Sequence, residues 1–220
     1  MAQIIEPGVG AWTAADLVER FGPIPLYRIR LDPPPGAATE RDVIEIHDRE
    51  DRLYELVDGI LLEKAVGSYK SYLAGLLVHF LQGFVRKHRL GVVYPPDGMM
   101  RIAPDLVRIP DVSFVSFDRL PGRKVPRDPI AGLVPDLAVE VISRGDTARE
   151  MEGKLAEYFA AGVRLVWYVY PDPREVRVYT APDRSAVVGK HETLDGGDVL
   201  PGFSLHLAEL FAEPEEAGGA

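Results

Sequence analysis

The chain of 220 residues contains no cysteine. No disulfide can staple it, no thiolate can act as a nucleophile, and any metal must be held by oxygen or imidazole. This fits a reducing cytoplasm, the compartment expected. Histidine is scarce, with five residues and no metal-ligand spacing among them. The opening MAQIIEPGVGAW lacks a basic region followed by an apolar core, so no signal peptide is expected. No apolar run approaches the roughly 20 residues that a membrane span needs, so no membrane partner is expected. Positive charge is in deficit too. A net charge of −9 points away from a nonspecific nucleic-acid binder, but leaves room for an enzyme that grips nucleic acid locally.

What is present suits one sizeable core. Hydrophobic residues make up 46% of the chain and charged residues 27%, with no internal repeat. The expected organisation is an N-terminal arm over 1–45, a main domain over 46–212 and a disordered tail over 213–220. Within the arm, Thr13 followed by Asp16 predicts a capped short helix to Phe21, and LDPPPGAA predicts an extended linker. Thr39 and Asp42 open a second short helix to Arg52. LYELVDGILLEK reads as a hairpin turning at Asp58-Gly59.

A long amphipathic helix is expected from Ser68 to His88, with Leu73, Leu76, Leu77, Phe80 and Phe84 as its apolar stripe and Gly91 closing it. A strand near Val92–Tyr94 leads to a strand, turn and strand through GMMRIAPDLVRIPDVSFVS. After a loop comes the strand PDLAVEVIS, then a helix from Thr147 to Ala161 ending at Gly162. RLVWYVY and REVRVYT are strands, and LPGFSLHLAELF reads as a docking turn and short helix. This order indicates an α/β (α+β) fold with a mixed sheet flanked by helices.

The chemistry concentrates on two acidic strands. Leu137, Val139 and Val141 share one face, and Ala138, Glu140 and Ile142 share the other. Both faces are apolar except at Glu140, as in a strand covered on both sides. A carboxylate there costs several kcal/mol unless a cation or strong donors meet it. It is either a salt-bridged strand-end residue or part of a site. Asp111 opens the strand PDVSFVS, 29 residues earlier (111 to 140). Pairing of these strands would bring Asp111 and Glu140 together. With the backbone carbonyl of Val141 they would form a hard oxygen site for Mg²⁺ or Mn²⁺, an ion that polarises a phosphoryl oxygen.

A cation is expected from the following helix. Met151, Leu155, Tyr158, Phe159 and Gly162 form its buried stripe, and Lys154 lies on the flank of that stripe. Lys154 can point toward the carboxylates and orient a water. It can equally pair within its helix with Glu150 or Glu157, which is worth about 0.3–0.5 kcal/mol. Basic residues also gather at Arg119, Arg123, Lys124 and Arg127, in a loop rich in Pro and Gly that suits phosphate contacts. A second cluster, from Arg86 to Arg89, ends the long helix, where cations complement its dipole.

PDV (110–112), VEVIS (139–143) and KLAEYFAAGVRLVWYVYP (154–171) together resemble the PD-(D/E)XK nuclease superfamily, and within it the Uma family of putative restriction endonucleases. YELVDGILLEK and LPGFSL resemble the same family, so the likeness spans roughly residues 53–211. The resemblance implies a restriction-endonuclease-like core and metal-dependent hydrolysis of phosphodiesters. It implies metal binding for Asp111 and Glu140, with Glu55 as a further candidate. Two positions depart from the pattern. Ile142 stands where the ExK motif has Lys, which makes Lys154 the migrated candidate. Ser71 stands where many members have His, which leaves Lys70 as a substitute.

Three functions follow as expectations. The first is a Mg²⁺-dependent endonuclease acting on DNA as a homodimer, with Asp111 and Glu140 on the metal and Lys154 at the water. The second is a weakened nuclease fold that serves as a binding module. The third is a hydrolase of a small phosphate ester.

Overall fold

The computed structural model describes residues 12–213. The opening residues read above for a signal peptide and most of the expected disordered tail lie outside them.

The arm is more than a linker. Helix α1 (Ala14–Phe21) is capped by Thr13 and Asp16 in a reciprocal capping box, with Thr13 N–H donating to Asp16 at 2.7 Å. It buries Leu17 and Phe21. Strand β1 (Ile29–Arg30) follows, and then the irregular Pro-rich stretch as expected. Helix α2 (Glu40–Glu50) carries the same box at Thr39 and Asp42. Strands β2 (Tyr54–Val57) and β3 (Ile60–Glu63) form the expected hairpin. The turn runs tight against the arm: a Cβ on Gly59, at φ +69°, would lie 2.6 Å from the backbone of Gly36.

Helix α3 (Ser68–His88) has the expected bounds, but its buried stripe is offset from the expected one. Lys70, Leu73, Ala74, Leu77, Leu81 and Val85 face inward, while Leu76, Phe80 and Phe84 are only partly buried. The helix closes on Arg89, which takes the left-handed conformation at φ 53°. Gly91 instead starts strand β4 (Gly91–Tyr94), where a Cβ would meet the Val115 carbonyl at 2.1 Å.

Strands β5 (Met100–Ala103), β6 (Leu106–Arg108) and β7 (Val112–Ser116) follow, one more strand than expected because MRIAPDLVR makes its own hairpin. Then come β8 (Leu137–Val141), α4 (Ala148–Ala161), β9 (Leu165–Tyr170) and β10 (Glu175–Ala181). The helix α4 ends on Gly162 at φ 96°, as read from the sequence, and Thr147 caps its start. The C-terminal part is richer in strands than expected. It comprises β11 (Arg184–Gly189), β12 (Thr193–Gly196), β13 (Leu200–His206) and a one-turn α5 (Leu207–Leu210). LPGFSLH is therefore a strand paired with β12 and not a docking turn. Its Leu200, Phe203 and Leu205 pack into the core, and that burial outweighs the turn signal of Pro-Gly.

One sheet has the order β1-β3-β2-β6-β5 and is antiparallel. The second has the order β11-β10-β9-β8-β7-β4 and is mixed, because β8 and β9 run parallel across the α4 crossover. Leu137, Val139 and Val141 pack toward α3, and Ala138 belongs to the apolar cluster under α4. The alternation read from PDLAVEVIS is thus realised. The chain passes from the first sheet to the second through Ile109, Pro110 and Asp111, between β6 and β7. Most of the buried charged residues gather near that crossing, while Asp136 lies at the other end of β8.

Candidate active site

Asp111 stands at the start of β7 beside the end of β8, its central neighbour in the mixed sheet. Pro110 has no N–H to donate to a ladder, and the Asp111 side chain extends the pairing as an acceptor. The Asp111 N–H donates to the Val139 carbonyl at 3.0 Å, and its Oδ2 accepts the Val141 N–H at 2.8 Å. The carboxylates of Asp111 and Glu140 thus come from adjoining ends of two strands, as the spacing predicted. Val141 turns its N–H toward Asp111.

Two lysines bracket Asp111. Lys64 Nζ, at the end of β3, lies 2.9 Å from Oδ1 and also donates to the Ile109 carbonyl. Lys70 Nζ, from the first turn of α3, lies 3.0 Å from Oδ2 and 3.7 Å from Asp146. Burial would push the Asp111 pKa up, but Lys64 and Lys70 outweigh it and hold the carboxyl below its ordinary value. Lys70 was expected near the substrate. Lys64 was missed, although its signal was present: it continues the alternation of Ile60 and Leu62, both fully buried.

Glu140 is met differently. Tyr158 O–H donates to its Oε1 at 2.6 Å, and Lys154 Nζ lies 3.3 Å from the same oxygen. Oε2 accepts no hydrogen bond among the described residues. Burial pushes the Glu140 carboxyl above its ordinary value. Lys154 offsets part of that, and Asp111 adds to it. Lys154 points toward the carboxylates as read from its helix position, and the intrahelical pairing with Glu150 or Glu157 does not form. Its ammonium also lies 3.2 Å from Glu55.

Glu55 belongs to an internal ion network. Arg108, 1% exposed, donates to Glu55 Oε2 at 2.7 Å, and the Ile109 N–H donates to Oε1 at 2.9 Å. Arg108 also reaches Glu157, which Arg20 of α1 holds at 2.6 Å. Burial works against ionisation of Glu55, but Lys154 and Arg108 hold its carboxyl well below the usual range. Both of its oxygens are taken. A second buried pair, Arg28 with Glu150 at 2.8 and 2.9 Å, ties the arm to α4. Neither Arg108 nor Arg28 was foreseen, because nothing local marks an arginine whose partner lies 53 or 122 residues away.

The two groups differ in access. Asp111, Lys64 and Lys70 line a pocket of about 570 Å³, with Leu53, Ser68 and Pro95 among its walls. Glu55, Lys154 and Arg108 are not among those walls. The basic loop stands apart. It leaves the far end of β7, opposite the end that carries Asp111. Arg119 is spent on the carbonyls of Val134, Pro135 and Gly162, and Arg123 stacks on Phe117. Lys124 lines a separate depression with Arg101.

The donor set can be judged against a divalent cation. Among the described residues, no group of three or more His, Asp or Glu is placed to hold a metal. Mg²⁺, however, keeps several waters and takes one or two carboxylates plus substrate phosphate, so Asp111 and Glu140 fit it. Among the described residues, no helix is long and apolar enough to cross a membrane.

No curated protein matches the chain. The fold is similar to the crystal structure of a putative nuclease belonging to DUF820 from Anabaena variabilis. The TM-score is 0.64 at 17% identity, over 73% of this chain and 90% of that one. A sequence profile of Uma2, described as putative restriction endonuclease, matches residues 41–208. That span takes in both acidic strands, the α4 crossover and the β2–β3 hairpin, and the chain belongs to the Uma2 family.

Proposed function

We propose that the protein is a Mg²⁺-dependent endonuclease that hydrolyses phosphodiester bonds of DNA. The observation that carries this reading is the convergence of Asp111 and Glu140 at adjoining strand ends, beside a pocket lined by two lysines, in a member of a nuclease family. Asp111 and Glu140 would hold the Mg²⁺ (or Mn²⁺), with the Val141 carbonyl as a further donor. Such an ion supplies Lewis-acid polarisation of the phosphoryl oxygen and lowers the pKa of a bound water. Glu55, held between Arg108 and Lys154 and off the pocket walls, stays outside the metal set in this reading.

Lys154 has its ammonium between Glu55 and Glu140, so its part is to hold the Glu140 carboxylate in place and ionised. DNA would be gripped at the pocket by Lys70, with Lys124 and Arg127 of the basic loop free to meet phosphates farther along. Cutting both strands with one such site needs two copies, so the working form is a homodimer, and the setting is cytoplasmic.

The test is nicking of supercoiled plasmid by the purified protein with Mg²⁺, and with a chelator in its place. Wild type nicks only with the metal, and Asp111→Ala and Glu140→Ala abolish nicking while the circular-dichroism spectrum stays native. Nicking that persists in either variant would overturn the assignment.

A further inference from the structure

Lys64 and Lys70 are the residues whose position is least explained by folding alone. Both are buried, both end on the same carboxylate, and both form walls of the 570 Å³ pocket. Two ammonium groups share the Asp111 carboxylate at the pocket floor. The supply of carboxylate nearby is limited: Asp146 lies 3.7 Å from Lys70, and Glu140 already takes Lys154 and Tyr158. The interior network shows the contrast. There Arg108 and Lys154 are enclosed among Glu55, Glu157 and Glu140, and neither lines the pocket. Desolvated cations facing a cavity strengthen any anion that enters, because the low local dielectric magnifies the attraction.

We propose that Lys64 and Lys70 form the phosphate-binding pair of this site, parked on Asp111 until the anion arrives. This deepens the endonuclease reading and rests on its assignment of Asp111. Both oxygens of Asp111 are occupied by these ammonium groups, so a cation that binds Asp111 competes with them. A phosphate group entering the pocket gives the displaced ammonium groups a new partner. Phosphate and divalent cation therefore assist one another, and the lysines oppose the cation when phosphate is absent. Lys64, tethered to the Ile109 carbonyl beside Asp111, is the less mobile of the two. Lys70, on the first turn of α3, is the one free to swing.

The experiment is calorimetric titration of the full chain with Mg²⁺ alone and with inorganic phosphate alone, at one pH and ionic strength. It compares wild type, Lys64→Met, Lys70→Met and Lys154→Met, with a thermal midpoint for each. A charge-assisted contact to phosphate is lost in Lys64→Met and Lys70→Met, so phosphate affinity falls about tenfold or more in each. Loss of a competing like charge raises Mg²⁺ affinity in the same two variants by roughly tenfold. Lys154→Met lacks a cation 3.3 Å from Glu140 but loses no wall of the pocket, so its Mg²⁺ affinity can rise while its phosphate affinity stays that of wild type. If Lys64→Met does not fold, Lys70→Met, which gives up no backbone hydrogen bond, carries the test. Affinities that fall together, or that do not change, would show that the lysines serve only the fold and overturn the proposal. A wild-type protein that binds no phosphate overturns it as well. Plasmid nicking by Asp111→Ala then reports separately on the endonuclease reading.

Discussion

Two clusters of buried charge lie within one seam of the molecule and are built to different ends. In the first, Glu55, Arg108, Lys154 and Glu157 satisfy one another from β2, β6 and α4, with no wall on the main pocket. In the second, Asp111, Lys64 and Lys70 meet at the pocket itself. Glu140 stands between them, held by Lys154 and Tyr158 of the closed cluster and adjoining Asp111 of the open one. A closed network in low dielectric fixes geometry, and an open one leaves charge available for a ligand. On the proposed reading one cluster serves folding and the other chemistry, and substitutions can break that contrast.

The largest effect on stability is expected in the closed cluster. Glu55→Gln leaves Arg108 and Lys154 short of a counter-charge, which costs about 3–5 kcal/mol, as breaking a buried pair does. At roughly 2–4 °C per kcal/mol for a chain of this size, the thermal midpoint falls by about 10 °C. A midpoint within 2 °C of wild type, taking about that as the error of the scan, would erase the distinction.

The same cluster predicts a pH dependence. The Glu55 carboxyl is depressed in the folded protein. Its contribution is therefore complete above the unfolded-state value near 4.3 and is lost as pH falls toward the folded one. The gap in stability between wild type and Glu55→Gln should narrow below about pH 4.3, as denaturant midpoints across pH would report. A gap that widens on acidification would contradict the assignment of charge.

Smaller effects sharpen the other side. Lys154→Met should lower the midpoint by less than Glu55→Gln, because Arg108 still meets Glu55 and Tyr158 still donates to Glu140. Smallest of all is Arg123→Ala, since that guanidinium stacks on Phe117 at the far end of β7. DNA affinity measured across salt concentrations should keep its slope in that variant and lose slope in Lys70→Met.

How far the sequence carried differs between the same two regions. The β7–β8 pairing was legible, because Glu140 broke an apolar alternation and Asp111 opened a second such strand. Lys154 was legible from helical phase, and the caps at Thr13 and Thr39 from local chemistry. Lys64 was available in the same way, as the next inward position after Ile60 and Leu62. It went unread because a lysine after a hairpin is ordinarily solvent-exposed. Arg108, Arg28 and Glu157 were not legible. Their partners come from other sheets and helices, and one sequence does not encode those distances locally. The strands β11 to β13 were obscured by Gly, Pro and Asp at their ends, where turn signals outweigh short runs of Val and Leu. The extra hairpin β5–β6 was obscured likewise, its turn lying in APD.

The central claim is that Asp111 holds a divalent cation at the open cluster. Calorimetric titration of Mg²⁺ into wild type and Asp111→Asn tests it most directly, with thermal midpoints confirming that both are folded. The account predicts one Mg²⁺ per chain in wild type and none in Asp111→Asn. Equal Mg²⁺ binding by the two proteins would contradict it.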